Sequence, residues 1–351
     1  MTENKEISVI IPVYNGEGFL KHTVESIISK NVDVDYEVVL VDDGSTDNSP
    51  EIIVELENNN PEVIITMFKK NGGIASARNT GLHLSSGKYI TFFDQDDMCI
   101  NSYRSFLDQM EEQKADMLIS DYYINEDSKT IKTNRVEEKI VLEGEEKNDL
   151  VRELIGGGNI PLIIGKYRHP PESVWNCIIS RYLIFENGLS FKKIVDFEDD
   201  WIFQIECILK SRKIYLCNNA YYCWRINQKS ESHINKYIPD FFDRRLALLE
   251  WIHEKLYEVG TNDTDIQLFD NILIFRTLIW SLYNETWNEC ASERVEHLKK
   301  AVTYFSPEQY NNICKNVKIS NADRILFHHL KKREIKRALF LNKWFMKKHY
   351  H

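Results

Sequence analysis

The chain has 351 residues, 43% of them hydrophobic, and a net charge of -10, so it can bury one large core plus a smaller appendage and lacks the basic footprint of a general nucleic-acid binder. Its seven cysteines show no C-x-x-C pair and no histidine at metal spacing, which excludes a disulfide framework or a zinc site and fits a reducing cytosol. The opening MTENKEISVIIPV lacks the signal-peptide pattern, and no run of about 18 apolar residues exists to span a membrane.

The first 120 residues alternate short β-branched runs with amphipathic segments, which predicts strand-helix-strand units around a mainly parallel sheet. The predicted strands are Ile7 to Val13, Glu37 to Val41, Val63 to Phe68, Tyr89 to Phe93 and Met117 to Ser120. Between the first two, Phe19, Leu20, Val24, Ile27 and Ile28 share one helical face. Ser49-Pro50 reads as a helix start, the serine capping free amides and the proline tolerated in the first turn. Polar residues that matter in such sheets follow the carboxyl ends of strands, and here these are Tyr14-Asn15, Asp42-Asp43 and Asp94 to Asp97.

From Asn125 to Asn148 the sequence is charged and irregular and reads as a lid-like excursion rather than core. The Gly156-Gly157-Gly158 run and residues 165–171 are turn-rich. A helix is expected from Asp199 to about Leu209, with Ile202, Ile205, Ile208 and Leu209 inward. From Lys236 onward only helical periodicity remains, so the expected division is an α/β domain over 1–235 and a helical domain over 236–351, the latter binding the acceptor, a second copy or a membrane surface. Residues 328–351 carry eight Lys/Arg and one acid. Ile335, Leu339, Leu341, Trp344, Phe345 and Met346 are interleaved with them, as in a helix lying on an anionic membrane. A terminal helix docked on the bundle with a solvated basic face fits equally.

Phe92-Phe93-Asp94-Gln95-Asp96-Asp97 places three carboxylates after an apolar strand. Clustered like charges invite a hard divalent cation with oxygen ligands, Mg²⁺ or Mn²⁺, bridging a diphosphate; the bland reading is a solvated acidic turn. Val41-Asp42-Asp43-Gly44-Ser45-Thr46-Asp47 offers carboxylates to base N–H groups or ribose hydroxyls, or is an ordinary Asp-Gly turn. Asn71 through Gly81 opens a helix with a glycine pair and carries Arg78, a forked donor for nucleotide oxygens or a surface arginine on a tightly packed helix. Phe197-Glu198-Asp199-Asp200-Trp201 places three acids in a first helical turn, where the dipole favours them. One of them facing a sugar cleft would serve as general base, its pKa raised by the adjacent acids.

In order and spacing these segments resemble the inverting glycosyltransferases of family 2, from Ile7 to about His233. The resemblance implies a GT-A fold, a mixed and mainly parallel sheet flanked by helices, followed by a C-terminal helical domain. Ile10-Ile11-Pro12-Val13-Tyr14-Asn15 is similar to the family's nucleoside-contacting strand and loop, and the Asp42-Asp43 turn to its base-binding turn. Asn71 through Gly81 is similar to its donor-binding helix. Asp94-Gln95-Asp96 resembles the D-x-D metal motif, and the resemblance implies its second aspartate, Asp96, as the direct ligand. Glu198-Asp199 resembles the downstream E-D pair, which puts the catalytic base on Asp199. Tyr221 to Arg225 and Ser230 to His233 resemble the segment near the pyrophosphate, although Cys223-Trp224 and a missing glycine depart from its pattern.

The resemblance therefore implies catalytic Asp199 and Glu198. Donor contacts would come from Pro12, Tyr14, Asn15, Glu17, Asp42, Asp43, Asn71, Gly73, Arg78, Asp94, Gln95, Arg225 and Ser232. Asp96, Asp94 and His233 would hold Mn²⁺ or Mg²⁺. The implied reaction moves a hexose or N-acetylhexosamine from a UDP-sugar to a saccharide acceptor, lipid-linked or free, in cell-surface polysaccharide synthesis at the cytoplasmic face of a membrane. A homo-oligomer stays open. The alternatives are a nucleotidyltransferase, which would want a basic glycine-rich loop that Pro12 to Gly18 lacks, and a non-catalytic nucleotide-sugar-binding partner, which would have lost Asp96 or Asp199.

Overall fold

The computed structural model describes residues 5–126, 129–133, 135–136, 138–156, 173–192, 198–226, 237–317 and 319–349. The chain divides into two compact units, residues up to 154 with 162–230, and residues 155–161 with 231–351.

In the first unit, β1 (Ile7–Val13), α1 (Leu20–Lys30), β2 (Tyr36–Asp42), α2 (Ser49–Asn59), β3 (Ile64–Phe68), α3 (Ile74–Leu84) and β4 (Tyr89–Phe92) follow the predicted order. Then come β5 (Met98–Cys99), α4 (Arg104–Gln113), β6 (Met117–Ser120), β7 (Tyr123–Glu126), β8 (Lys129–Lys132), β9 (Ile140–Glu143) and α5 (Glu145–Gly156). The unit closes with β10 (Cys177–Ser180), α6 (Arg181–Glu186), α7 (Asp199–Lys210), β11 (Lys213–Cys217) and β12 (Tyr222–Arg225). The main sheet has the order β3-β2-β1-β4-β10-β6-β11-β9, and a smaller one the order β5-β12-β7-β8. In the main sheet only β10 and β9 run against the other strands, the mixed α/β architecture expected from the sequence.

β1 and β2 are buried at every position, as strands covered on both faces must be. The period of two sorts β1: Ile7, Val9, Ile11 and Val13 join Leu20, Val24, Ile27 and Leu107 in one core cluster. On the opposite face α3 packs directly on β1. There Gly81 comes so close that a Cβ on it would stand 2.3 Å from Ile10 Cγ2, so only glycine permits this helix-sheet distance. The helix begins at Gly73, whose φ of 86° is likewise open to glycine alone at little cost.

Residues 125–148 correct the expectation of an irregular excursion. Backbone pairing organises them despite their charge: β7 and β8 form an antiparallel hairpin, and β9 closes the edge of the main sheet against β11. At Ser49-Pro50 the helix starts as expected, but Asn48 is the N-cap, because the Ser49 hydroxyl is drawn off to accept from the Gly16 amide at 2.8 Å.

The second unit is helical: α8 (Phe241–Glu258), α9 (Asp263–Trp287), α10 (Ala291–Tyr304), α11 (Pro307–Asn316), α12 (Asn321–Lys331) and α13 (Ile335–His349). α9 lies at its centre, contacting α8, α10, α11, α12 and α13, and Ile272, Leu278 and Leu282 on it are almost wholly buried. Ile335 and Leu339, read from the sequence as facing a membrane, belong instead to this core, with Leu341 and Phe345 packed against it; the bundle offers them apolar neighbours. Among the described residues no helix is long and apolar enough to cross a membrane. All seven cysteines are free thiols.

Candidate active site

Strand order locates the site. The chain moves outward from β1 to β2 and β3, then returns to place β4 on the other side of β1. A crevice therefore opens past the carboxyl ends of β1 and β4, where the two windings diverge. Pro12 fits that opening. Its side chain is buried in β1, and on this strand the residues whose backbone faces β4 are the even ones, since the Phe93 amide bonds to the Ile10 carbonyl. The ladder with β4 ends at Ile10, because the amide that proline lacks is the one that would carry the pairing a rung further. Pro12 thus shapes the crevice from within the sheet, its ring covered by neighbours.

Gln95 closes the crevice floor. The Tyr14 amide donates to Gln95 Oε1 at 3.0 Å and Gln95 Nε2 donates to the Tyr14 carbonyl at 2.9 Å. The carboxamide of Gln95, expected to contact the donor, acts as one more backbone rung between β1 and β4. Asn15, exposed with φ of 50°, accepts from the Thr46 amide at 2.8 Å. Glu17 accepts from the Asn48 amide and side chain at 3.0 and 2.8 Å. The loops after β1 and β2 are thereby laced together.

The two acids ending β2 point inward. Asp42 accepts from the amides of Gly44 and Ser45, each at 3.2 Å. Asp43, 3% exposed, accepts from the Gly72 amide at 3.0 Å, the Gly73 amide at 2.7 Å and the Lys69 ammonium. A carboxylate so supplied with donors fixes the turn that launches α3. Asn71 beside it is exposed.

α3 delivers the central group. The Arg78 side chain is 2% exposed, yet its guanidinium meets three carboxylates: Nη2 reaches Asp94 Oδ1 at 3.3 Å, and Nη1 reaches Asp199 Oδ2 at 3.1 Å and Asp200 Oδ1. It also sits 5.3 Å from the centre of the Phe191 ring. The Nη1 and Nη2 groups of Arg78, a residue expected to contact the donor, bind acids from two remote segments. Two acidic clusters about a hundred residues apart in the chain are thus drawn onto one cation. Burial opposes the guanidinium charge, but Asp200, Asp94 and Asp199 together hold its pKa up. One cation cannot neutralise three anions, so burial, only partly offset by Arg78, raises the Asp94 carboxyl and pushes that of Asp200 up to about 7. Asp200 lies in the first turn of α7. Glu198 is the N-cap of that helix, and Asp199 in its first turn is 5% exposed.

Asp97, unremarked in the sequence beyond being the third acid of its cluster, is 1% exposed. It accepts from the Tyr222 hydroxyl and, at 2.6 Å, from the Arg225 amide. Burial first, then Asp94 and Asp96, drive its carboxyl well above the usual range. Tyr222 is stacked on Trp175 at 4.3 Å. The Arg225 guanidinium lies 5.5 Å from the Phe19 ring centre, and its Nε and Nη2 are buried with no hydrogen-bond partner among the described residues. Phe197, Ser232 and His233 lie outside those residues.

Among the described residues no group of three or more His, Cys, Asp or Glu side chains is poised to hold a metal ion. Asp94 and Asp96 flank Gln95 at the carboxyl end of β4, and one or two carboxylates are what Mg²⁺ requires when a diphosphate completes its shell. The oxygen donors thus fit such an ion.

The family model described as Glycosyl transferase family 2 matches residues 8–168. EpsJ of Bacillus subtilis (strain 168), an uncharacterized glycosyltransferase, is 26% identical over 235 residues, which cover 65% of this chain and 63% of EpsJ. The minor teichoic acid biosynthesis protein GgaA of the same organism is 27% identical over 263 residues, 73% of this chain and 52% of GgaA. This chain therefore spans only part of either relative. The crystal structure of S. aureus TarS 1-349 in complex with UDP-GlcNAc matches with a TM-score of 0.63 at 18% identity, covering 98% of this chain and 92% of that one; the likeness is one of fold.

Proposed function

Residues 8–168 belong to glycosyl transferase family 2, and on that premise we propose that the protein is an inverting glycosyltransferase. It moves a hexose or N-acetylhexosamine from a UDP-sugar to a saccharide hydroxyl during assembly of a cell-surface polymer at the cytoplasmic face of the membrane. The UDP-GlcNAc bound by TarS and the part of GgaA in minor teichoic acid biosynthesis support donor and setting; free thiols throughout suit a reducing compartment. The observation that carries the reading is the convergence of Asp94 and Asp199 on Arg78.

In this mechanism the acceptor hydroxyl attacks the anomeric carbon from the side opposite the diphosphate, so a new C–O bond forms as the C–O bond to UDP breaks and configuration inverts. Asp199 takes the hydroxyl proton. Arg78 holds Asp199 by one oxygen and so sets the direction of the other. Arg225, whose Nε and Nη2 have no hydrogen-bond partner among the described residues, faces the diphosphate, and Asp97 fixes the backbone from which it projects. Asp96 and Asp94 would hold Mn²⁺ or Mg²⁺, which offsets charge on the leaving group.

The test is Asp199→Asn, assayed by UDP release from a panel of UDP-sugars and by donor binding. Loss of a general base costs about 10²- to 10⁴-fold in turnover, with donor affinity retained; turnover near that of the wild type removes Asp199 from the role.

A further inference from the structure

The helical unit carries a feature that the transfer reaction does not use. Along α13, Ile335, Ala338, Leu339 and Asn342 are buried, which defines the face docked on the bundle. The opposite row should be polar on a helix solvated on that side. Instead, Lys336, Phe340 and Trp344 follow one another at i, i+4 and i+8 on it, the two aromatic residues 69% and 50% exposed. Arg337 and Lys343 are exposed beside them.

At the amino-terminal end of this row lies a cavity of about 660 Å³ whose wall includes Lys299, Arg333, Lys336 and Arg337 over Val302 and Ile335. Of the carboxylates beside these cations, Glu334 is engaged by the His329 ring at 2.6 Å and lies 3.8 Å from Arg337, and Glu296 lies 3.4 Å from Lys299. Four cations thus surround an apolar floor, and two exposed aromatic rings continue from it, on a chain whose net charge of -10 would repel anionic surfaces. Aromatic rings beside lysines suit the boundary between headgroups and acyl chains, and phosphate-bearing headgroups supply the charge that the cavity lacks.

We propose that the second unit docks on an anionic bilayer through this face, a lipid headgroup phosphate seated among Lys299, Arg333, Lys336 and Arg337 while Phe340 and Trp344 enter the interface. The docking is independent of the transfer chemistry of the first unit. The full chain is sedimented with vesicles of phosphatidylglycerol and phosphatidylcholine, and with phosphatidylcholine alone. Binding to the former only, with a blue shift of tryptophan emission that Trp344→Ser abolishes, is the expected result. Arg333→Gln with Lys336→Gln weakens binding about fivefold per charge removed, and Phe340→Ser with Trp344→Ser releases the protein although every cation remains.

A chain that stays in the supernatant at low salt overturns the proposal. So does an aromatic variant that sediments like the wild type, or binding of soluble polyphosphate without binding to vesicles. A dimer of the free protein that the aromatic variant dissociates would assign the face to a second copy and equally overturn it. UDP release on the same preparations separates the two readings: turnover without sedimentation sinks only this one, and sedimentation without turnover sinks only the enzymatic one.

Discussion

Replacing Arg78 by glutamine removes the cation from a cluster of three acids while nearly preserving length. Breaking a buried ion pair costs about 3–5 kcal/mol because the partner is left charged and dry. The Asp199 side chain, 7% exposed, feels this almost fully, whereas those of Asp200 and Asp94, 21% and 31% exposed, are partly screened. The low end, about 3 kcal/mol at pH 8, is therefore expected, a loss of roughly 150-fold in the local equilibrium. The pH dependence fixes the cause. Acids with raised folded pKa values bind more protons folded than unfolded, so stability falls as pH rises from the ordinary carboxylate range through the raised value. In the wild type Asp200 already does this, up to about 7; without Arg78 the Asp200 and Asp94 carboxyls rise further, and the variant regains stability as pH falls from 8 to 5. Hydrogen exchange on peptides from β4 and α7 reads the protection free energy at both pH values, with Asp200→Asn added to the variant to recover part of the loss at pH 8. A deficit under about 1 kcal/mol at pH 8, or one unchanged at pH 5, would refute the charge-cluster account.

Gly81→Ala drives a methyl into Ile10, 2.3 Å away; overpacking of this kind costs about 1–3 kcal/mol, and Ile10→Ala beside it should relieve part of the strain, giving a clear coupling in a double-mutant cycle of β1 exchange protection. In the helical unit Asp270 holds a proton on His253 and raises its pKa. Its contribution is full below the ordinary histidine value near 6.5 and disappears as pH rises through the raised one. Protection of α8 should thus decline by less than about 1 kcal/mol, the pair being exposed, and His253→Gln should flatten that decline.

The strands and helices of the first 120 residues were legible because two-sided burial writes itself as continuous β-branched runs, as in Ile7 to Val13. The hairpin of β7 and β8 was not, since exposed strands such as Lys129–Lys132 owe their form to backbone pairing that polar residues do not advertise. Site position was readable from acids at strand ends, but allegiance was not. Asp43 satisfies Gly72 and Gly73, and Gln95 satisfies Tyr14, through contacts 29 and 81 positions apart in the chain, which no local pattern encodes. In α13 the periodicity was correct, and only the bundle decided that Ile335 and Leu339 turn inward while Phe340 is left outside.

Gln95 carries a last consequence. Because its amide both gives and takes at Tyr14, the segment that precedes Asp96 and the segment that follows β1 are welded into a single shelf. Exchange for glutamate would swap the donor for a second acceptor, set it against the Tyr14 carbonyl, and prise the shelf apart. The middle letter of the acidic motif is in that sense mechanical, a rivet whose tolerance for change is set by geometry at Tyr14.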